Sequence, residues 1–281
     1  MPLAAVLLVL GAAACHTTWN LVLKSETARV QVSLGALIVG VACASPVLFV
    51  YSLREVPLDG WVLVALSGVF ETAYVIGLTA AYEAGDLSLV YPIARGTPAL
   101  IVVPLSIALL GERVSATGLL GIVLVVTGIF AAHFPRRSGA HAASTGRAVT
   151  LALLTGLAIA GYSFVNKLGV KVVPVPLYAT LVFAVDAALL AIVLRLRGGP
   201  LLPARRWRAM LVVGVLMMGA YIGVLGAMTL APLAYVVAAR EVSIVFTALA
   251  GVVLLGERAS ARTLGGAALI FAGLVAIALS R

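Results

Sequence analysis

Two arginines lie inside apolar segments of this chain, at positions that repeat: Arg95 and, 145 residues later, Arg240. An arginine stays charged in any setting, so each one needs an anionic or polar partner. Its planar guanidinium can bind a carboxylate or a phosphate through two parallel hydrogen bonds. The pair therefore predicts either a site for an anionic group of a substrate or structural ion pairs. Glu241 is not expected to serve Arg240, because adjacent side chains of an α-helix point in different directions.

A lone carboxylate, Glu71, lies near the middle of another apolar run, with Tyr74 on roughly the same helical face. Removing a carboxyl group from water favours its neutral form, which makes Glu71 a candidate proton carrier. The alternative is a structural ion pair of Glu71 with Arg95 or Lys24. A second lone acid, Asp186, is predicted to form a salt link to a nearby basic side chain.

Three polar residues near the start of the chain, His16, Asn20 and Lys24, are spaced four residues apart, so they lie in a stripe along one face of a helix. Such a stripe is typical of a cavity wall, or of hydrogen bonds between helices with the lysine reaching the membrane surface. A looser counterpart, Tyr162, Asn166 and Lys167, occurs in the second half. The predicted substrate-binding residues are His16, Asn20, Lys24, Glu71, Tyr74, Tyr91, Arg95, Tyr162, Asn166, Arg240 and Glu241.

The composition indicates which kind of protein holds these side chains. Hydrophobic residues make up 63% of the 281, and charged residues only 10%. A soluble domain is nearer a quarter charged, whereas a helix that spans a bilayer needs about 20 apolar residues. The alternation of a membrane β-barrel is absent. We predict an all-α, multi-pass protein of the cell (inner or plasma) membrane, with spans at 3–23, 31–52, 61–82, 87–110, 115–134, 147–168, 176–194, 208–229, 232–255 and 261–279.

The chain contains two copies of one apolar repeat. The segment ALLGERVSATGLLGIVLVVTGIFA at 108–131 returns as VLLGERASARTLGGAALIFAGLVA at 253–276. The predicted units are 1–134 and 147–281, joined by a linker at 135–146. Each unit has an odd number of spans, five, so the second enters the membrane in the opposite sense. The two units should be related by a pseudo-two-fold axis in the membrane plane.

Small residues and short turns recur within the repeat. The glycines of the fifth and tenth spans suit close packing of helices, either between the two halves or between subunits. A homo-oligomer is therefore a possible assembly. The two GER turns, Gly111–Arg113 and Gly256–Arg258, are interpreted as structural loops.

The basic residues indicate topology rather than a nucleic-acid partner. The net charge is +9, but the positive side chains are scattered over helix ends and form no patch with aromatic residues between them. The loops after spans one, five, seven and nine carry eleven arginines, against three basic residues in the loops after spans two, four, six and eight. The positive-inside rule therefore places both termini outside the cell.

Ten spans in two five-span repeats, each with an LLGER-type turn between its fourth and fifth spans, resemble the EamA-type members of the drug/metabolite transporter superfamily. The segments HTTWNLVLK (16–24) and DLSLVYPIARGTPAL (86–100) are also similar to those proteins. The resemblance covers nearly the whole chain. The resemblance implies that the protein is a transporter. It does not indicate which substrate is transported, because that superfamily carries amino acids, sugars, nucleotide sugars, phosphorylated metabolites and drugs. It also implies cytoplasmic termini, the reverse of the charge count.

The sequence shows no Gly-rich phosphate loop, no metal-binding cluster and no paired acidic motif of a membrane prenyltransferase, so we expect neither an enzyme nor a cofactor. We predict a secondary transporter, a permease or exporter of a small amphipathic or anionic metabolite, that works by alternating access of its two halves. Glu71 is the candidate for proton coupling. The alternative is a flippase of lipid or lipid-linked sugar, whose polar cavity should open sideways to lipid.

Overall fold

The computed structural model describes residues 1–133, 142–203, 205–255 and 260–280. Most of the predicted linker and the Gly256–Arg258 turn lie outside these residues. The regular elements of the described part are all helical. The α-helices are α1 (Leu3–Lys24), α2 (Arg29–Ala44), α3 (Leu58–Ala84), α4 (Leu87–Leu110), α5 (Ala116–His133), α6 (Ala142–Val172), α7 (Val175–Leu196), α8 (Trp207–Leu230), α9 (Leu233–Ala239), α10 (Ser243–Leu255) and α11 (Ala261–Leu279).

The helices have the length and surface of membrane spans. In the described residues, nine helical segments are long and apolar enough to cross a bilayer, and Ala116–Ala132 is a shorter apolar helix. Large apolar side chains such as Phe49, Leu58 and Leu196 point outward and are exposed. A surface of this kind is stable in lipid and not in water. The fold class is therefore the predicted one, an all-α membrane protein of about ten spans.

The fourth and ninth spans differ in regularity. Helix α4 runs through Pro92, Pro98 and Pro104 as one helix. The ninth span is instead broken, because a 3-10 segment at Arg240–Val242 separates α9 from α10. The predicted regular helix through Arg240 is therefore interrupted at the arginine itself.

Reciprocal glycine contacts between α5 and α11 show how the two halves are related. A Cβ atom on Gly121 would lie 2.7 Å from the carbonyl oxygen of Gly273, and one on Gly128 would lie 2.7 Å from that of Gly266. Gly121 matches Gly266 in the repeat, and Gly128 matches Gly273. Gly121 therefore packs against the repeat counterpart of Gly128, and Gly128 packs against the repeat counterpart of Gly121. This reciprocal pattern is that of an isologous two-fold interface. The predicted inverted repeat is confirmed, and these glycines pack between the halves.

The remaining helices follow the same symmetry. Helix α1 packs against α8, and α3 packs against α6, so the first helix of each half contacts the third helix of the other. The chain termini meet at one face of the bundle, where the Met1 ammonium group donates to the carbonyl oxygens of Ser280 (2.7 Å) and Ala278 (3.2 Å). We call this the terminal face.

Candidate functional site

A buried carboxylate lies between the two matched arginines. Glu241 is 2% exposed, and its Oε2 accepts a hydrogen bond from Nε of Arg95 at 3.0 Å. Its Oε1 lies 3.4 Å from Nε of Arg240. The expectation that Glu241 could not serve Arg240 was wrong. Adjacent positions of a helix diverge, but both side chains are long enough to bend toward the same space between α4 and the ninth span.

Helix α1 packs against the break in the ninth span, beside the 3-10 segment and the start of α10. The Thr17 hydroxyl donates to the carbonyl oxygen of Ser243 at 3.1 Å, at the point where α10 begins. Irregular backbone at membrane depth is tolerated where it is buried in protein. The 3-10 segment can therefore hold Arg240 and Glu241 in place.

Some N–H donors of the Arg240 guanidinium are unused, whereas Nε of Arg95 donates to Glu241. Among the described residues, Nε and Nη2 of Arg240 are buried and have no hydrogen-bond partner. The guanidinium lies over the ring of Tyr162, with 5.6 Å between its central carbon and the ring centroid. The cation–π contact stabilises the charge. Two arginines and one glutamate leave one net positive charge here.

A buried acid on α3 lies near this cluster. Oε1 of Glu71 is buried and has no hydrogen-bond partner among the described residues. The charged side chains of Asp186 and Arg240 lie near it. Glu71 is not the ion-pair partner of Arg95, which is bonded to Glu241. The ion pairs found among the described residues include neither Glu71 nor Lys24.

A hydroxyl network surrounds the predicted site residue Asn166. Its Oδ1 accepts from the hydroxyls of Ser67 (2.6 Å) and Tyr178 (3.1 Å), and its Nδ2 donates to the hydroxyl of Tyr221 (2.9 Å). Asn166 and Tyr221 also face Glu71. This network holds the α6 amide rigidly beside the acid.

Aromatic side chains complete the wall near the arginines. Tyr74 and Tyr162 make an edge-to-face contact at 6.1 Å between ring centroids. His16 packs against Trp19 at 4.9 Å and lies close to both arginines, and Tyr91 lies beside Arg95. The structure thus brings together nine of the predicted site residues: His16, Glu71, Tyr74, Tyr91, Arg95, Tyr162, Asn166, Arg240 and Glu241.

Two residues of the predicted stripe on α1 are placed differently. Nδ2 of Asn20 donates to the carbonyl oxygen of His16 at 2.8 Å, which ties the amide to its own helix. Lys24 is exposed in the last turn of α1. Only His16 of the three lies with the arginines.

Asp186 departs from its prediction. Its Oδ1 accepts a hydrogen bond from the Thr72 hydroxyl at 2.6 Å, and the ion pairs recorded in the described residues do not include it. The predicted salt link was wrong, because the residue of α3 that faces Asp186 carries a hydroxyl instead of a positive charge.

Sequence reasoning missed the hydroxyl groups around Glu71. Tyr178 and Tyr221 carry no periodic signal that separates them from ordinary apolar side chains. Ser67 does carry one, since Ser67, Glu71 and Tyr74 are four and three residues apart and share one face of α3. That polar stripe in an apolar helix was the available clue.

The fold and these residues agree with what the chain is similar to. The sequence model of the EamA-like transporter family matches twice, over residues 3–133 and 146–279. The chain belongs to the EamA-like transporter family. It is therefore a membrane transporter of the drug/metabolite transporter type, and its two family segments coincide with the two inverted halves.

A solved structure shares the fold at low identity. A crystal structure, described only as that of a protein, is 19% identical with a TM-score of 0.81, over 99% of this chain and 98% of that chain. A likeness at this identity shows the fold alone. No curated protein matches the chain.

Proposed function

We propose that this EamA-family protein is a secondary transporter of the cell membrane that carries a small amphipathic or anionic metabolite by alternating access of its two halves. The free donors of Arg240 carry the proposal. A buried guanidinium with unused N–H groups is costly unless something binds them for part of the cycle. An anionic group of the substrate supplies that partner.

The charge of the cluster favours a monoanionic group. Glu241 offsets one of the two arginines, so a single carboxylate neutralises the site when Glu71 is protonated. A dianion such as a phosphate monoester would leave an unpaired negative charge in a buried space, which is unfavourable. The aromatic rings of Tyr74 and Tyr162 offer an apolar surface to the rest of an amphipathic substrate.

Glu71 supports coupling to protons. Its buried carboxyl group can take up and release a proton, and the two arginines with Glu241 offer a net positive charge to an anion only while Glu71 is neutral. A proton on Glu71 therefore favours binding of the anionic substrate, which couples the movement of the two. A proton gradient would then drive the metabolite across the membrane.

Proteoliposomes containing the purified protein test this function. We expect uptake or efflux of some members of a panel of monocarboxylates, zwitterions, phosphate monoesters and neutral sugars, with monoanionic members preferred and the rate changed by an imposed pH gradient. Scrambling of a fluorescent lipid with no transport from the panel would support a flippase instead. Protein-free liposomes are the control for leakage.

A further inference from the structure

The glutamate of the first GER turn reaches from the first half of the chain to the second. Gly111 ends α4 in the left-handed conformation, with φ of +65°, and this turn leads directly to Glu112. The Glu112 carboxylate accepts the backbone N–H of Leu233 with both oxygens, at 2.7 and 2.9 Å. Leu233 begins α9, whose first N–H groups have no partner within the helix.

A buried lysine completes the same junction. Nζ of Lys167, near the end of α6, lies 3.3 Å from Oε1 of Glu112. It also donates to the carbonyl oxygens of Met228 (2.6 Å) and Ala231 (2.8 Å), at the end of α8. Lys167 is 9% exposed. One ammonium and one carboxylate thus tie together the ends of α4, α6, α8 and α9, and Glu112 is the contribution of the first half.

The junction lies at the terminal face of the bundle. Counting crossings from Met1, the ends of α4, α6 and α8 and the start of α9 all reach the face that holds both termini. The helices that it joins carry the site, since Arg95 is on α4 and Arg240 follows α9. At the opposite face, Lys24 at the end of α1 is exposed.

We propose that the contacts of Glu112 with Leu233 and Lys167 form a gate that closes the central site on the terminal face. Alternating access requires the two halves to separate at one face at a time. Separation of the end of α4 from the start of α9 breaks the contact of Glu112 with Leu233, and separation from the end of α6 breaks its contact with Lys167. The GER turn is then a working part of the transport cycle, and Glu112 and Lys167 are positioning residues that do not touch the substrate.

A reporter cysteine tests the gate without any substrate. Tyr74→Cys, in a Cys15→Ser, Cys43→Ser background, places a thiol among the site residues. Its reaction with a membrane-impermeant maleimide is measured from each face in oriented vesicles. Hydrogen bonds to charged groups bias a two-state equilibrium by roughly tenfold or more. We therefore expect Glu112→Gln and Lys167→Met each to raise the ratio of terminal-face to opposite-face labelling by about that factor.

Two comparisons separate a gate from a merely structural cap. Lys171→Met removes the same charge from an exposed position one turn further along α6 and should leave the labelling ratio at the parent value. Exchange of the charges, Glu112→Lys with Lys167→Glu, should not restore the parent ratio, because the backbone N–H and carbonyl groups of the junction select the original signs. A charge exchange that restores the ratio would reduce the junction to a simple ion pair and overturn the proposal.

Folding of the variants is monitored by detergent chromatography and thermal unfolding. Glu112→Gln keeps an acceptor for the Leu233 N–H and is the milder change. A structural cap would lower thermal stability while the labelling ratio of the folded fraction stays at the parent value, and that result would refute the gate. Because labelling needs no substrate, its outcome is separate from that of the proposed transport function.

Discussion

Arg95 donates a hydrogen bond of 3.0 Å to Glu241, and this bond joins the two inverted halves at their matched arginines. The acid is present in one half only. The repeat position that matches Glu241 is Gly96, where a Cβ atom would already lie 2.8 Å from the Phe130 ring. Both halves therefore carry the arginine, but only the second half carries the acid. Arg95 is hydrogen-bonded to this acid, whereas Nε and Nη2 of Arg240 have no hydrogen-bond partner among the described residues.

The first prediction concerns this bond. Arg95→Gln should destabilise the protein by about 3 kcal/mol, because removing one partner leaves a buried carboxylate short of charge. Glu241→Gln in the same chain should recover much of that loss, since the unpaired charge is gone. Thermal unfolding of the two single variants and the double variant measures the coupling. Additive effects of the two changes would show that the pair is not coupled.

Two adjacent glycines of α11 give a matched pair for the contact between the halves. A Cβ atom on Gly266 would lie 2.6 Å from the backbone nitrogen of Ala132, whereas nothing lies within 4 Å of one on Gly265. Gly266→Ala should destabilise the protein by about 1–3 kcal/mol, as overpacking does. Gly265→Ala should be neutral or slightly stabilising. Equal melting temperatures for the two variants would contradict the packing described here.

The architecture could be predicted from the sequence. The apolar runs predicted the spans, and the repeat with five spans in each half predicted the inversion that the reciprocal contact of Gly121 with Gly273 confirms. These features follow from hydropathy and repetition, which are local or periodic properties of a chain.

The partner of each arginine could not be predicted in this way. Glu241 was set aside because adjacent positions of a helix diverge, yet the two side chains are long enough to meet beside Arg95. The bonds of Asn166 to Tyr178 and Tyr221 depend on which helices pack against α6. Such choices are made by tertiary packing between segments far apart in the chain.

Glu71 is predicted to couple transport to protons. Glu71→Gln keeps the shape and removes the titratable group, so accumulation driven by a pH gradient should fall to the level of protein-free liposomes while exchange of substrate across the membrane continues. Glu55→Gln, at an exposed position outside the site, is the matched control. Undiminished gradient-driven accumulation by Glu71→Gln would exclude Glu71 as the proton carrier.

The orientation in the membrane remains a prediction of the charge count. Cysteines introduced at Arg197, after α7, and at Ser52, after the second span, lie on opposite faces and are exposed. With Cys15 and Cys43 replaced, an impermeant maleimide added to intact cells should label the cysteine at 52 and not that at 197. The reverse pattern would place both termini in the cytoplasm, as the family resemblance implies.

The central claim, that Arg240 binds the anionic group of the substrate, is tested most directly by counterflow of the transported substrate in proteoliposomes. Arg240→Lys keeps the charge and loses the planar pair of donors, so the KM should rise by about tenfold, the loss of a charged hydrogen bond. Arg240→Gln also removes the charge, and its KM should rise further. Lys171→Gln, exposed on α6, should behave as the parent. An unchanged KM for correctly folded Arg240→Gln would contradict the account and make the arginine structural.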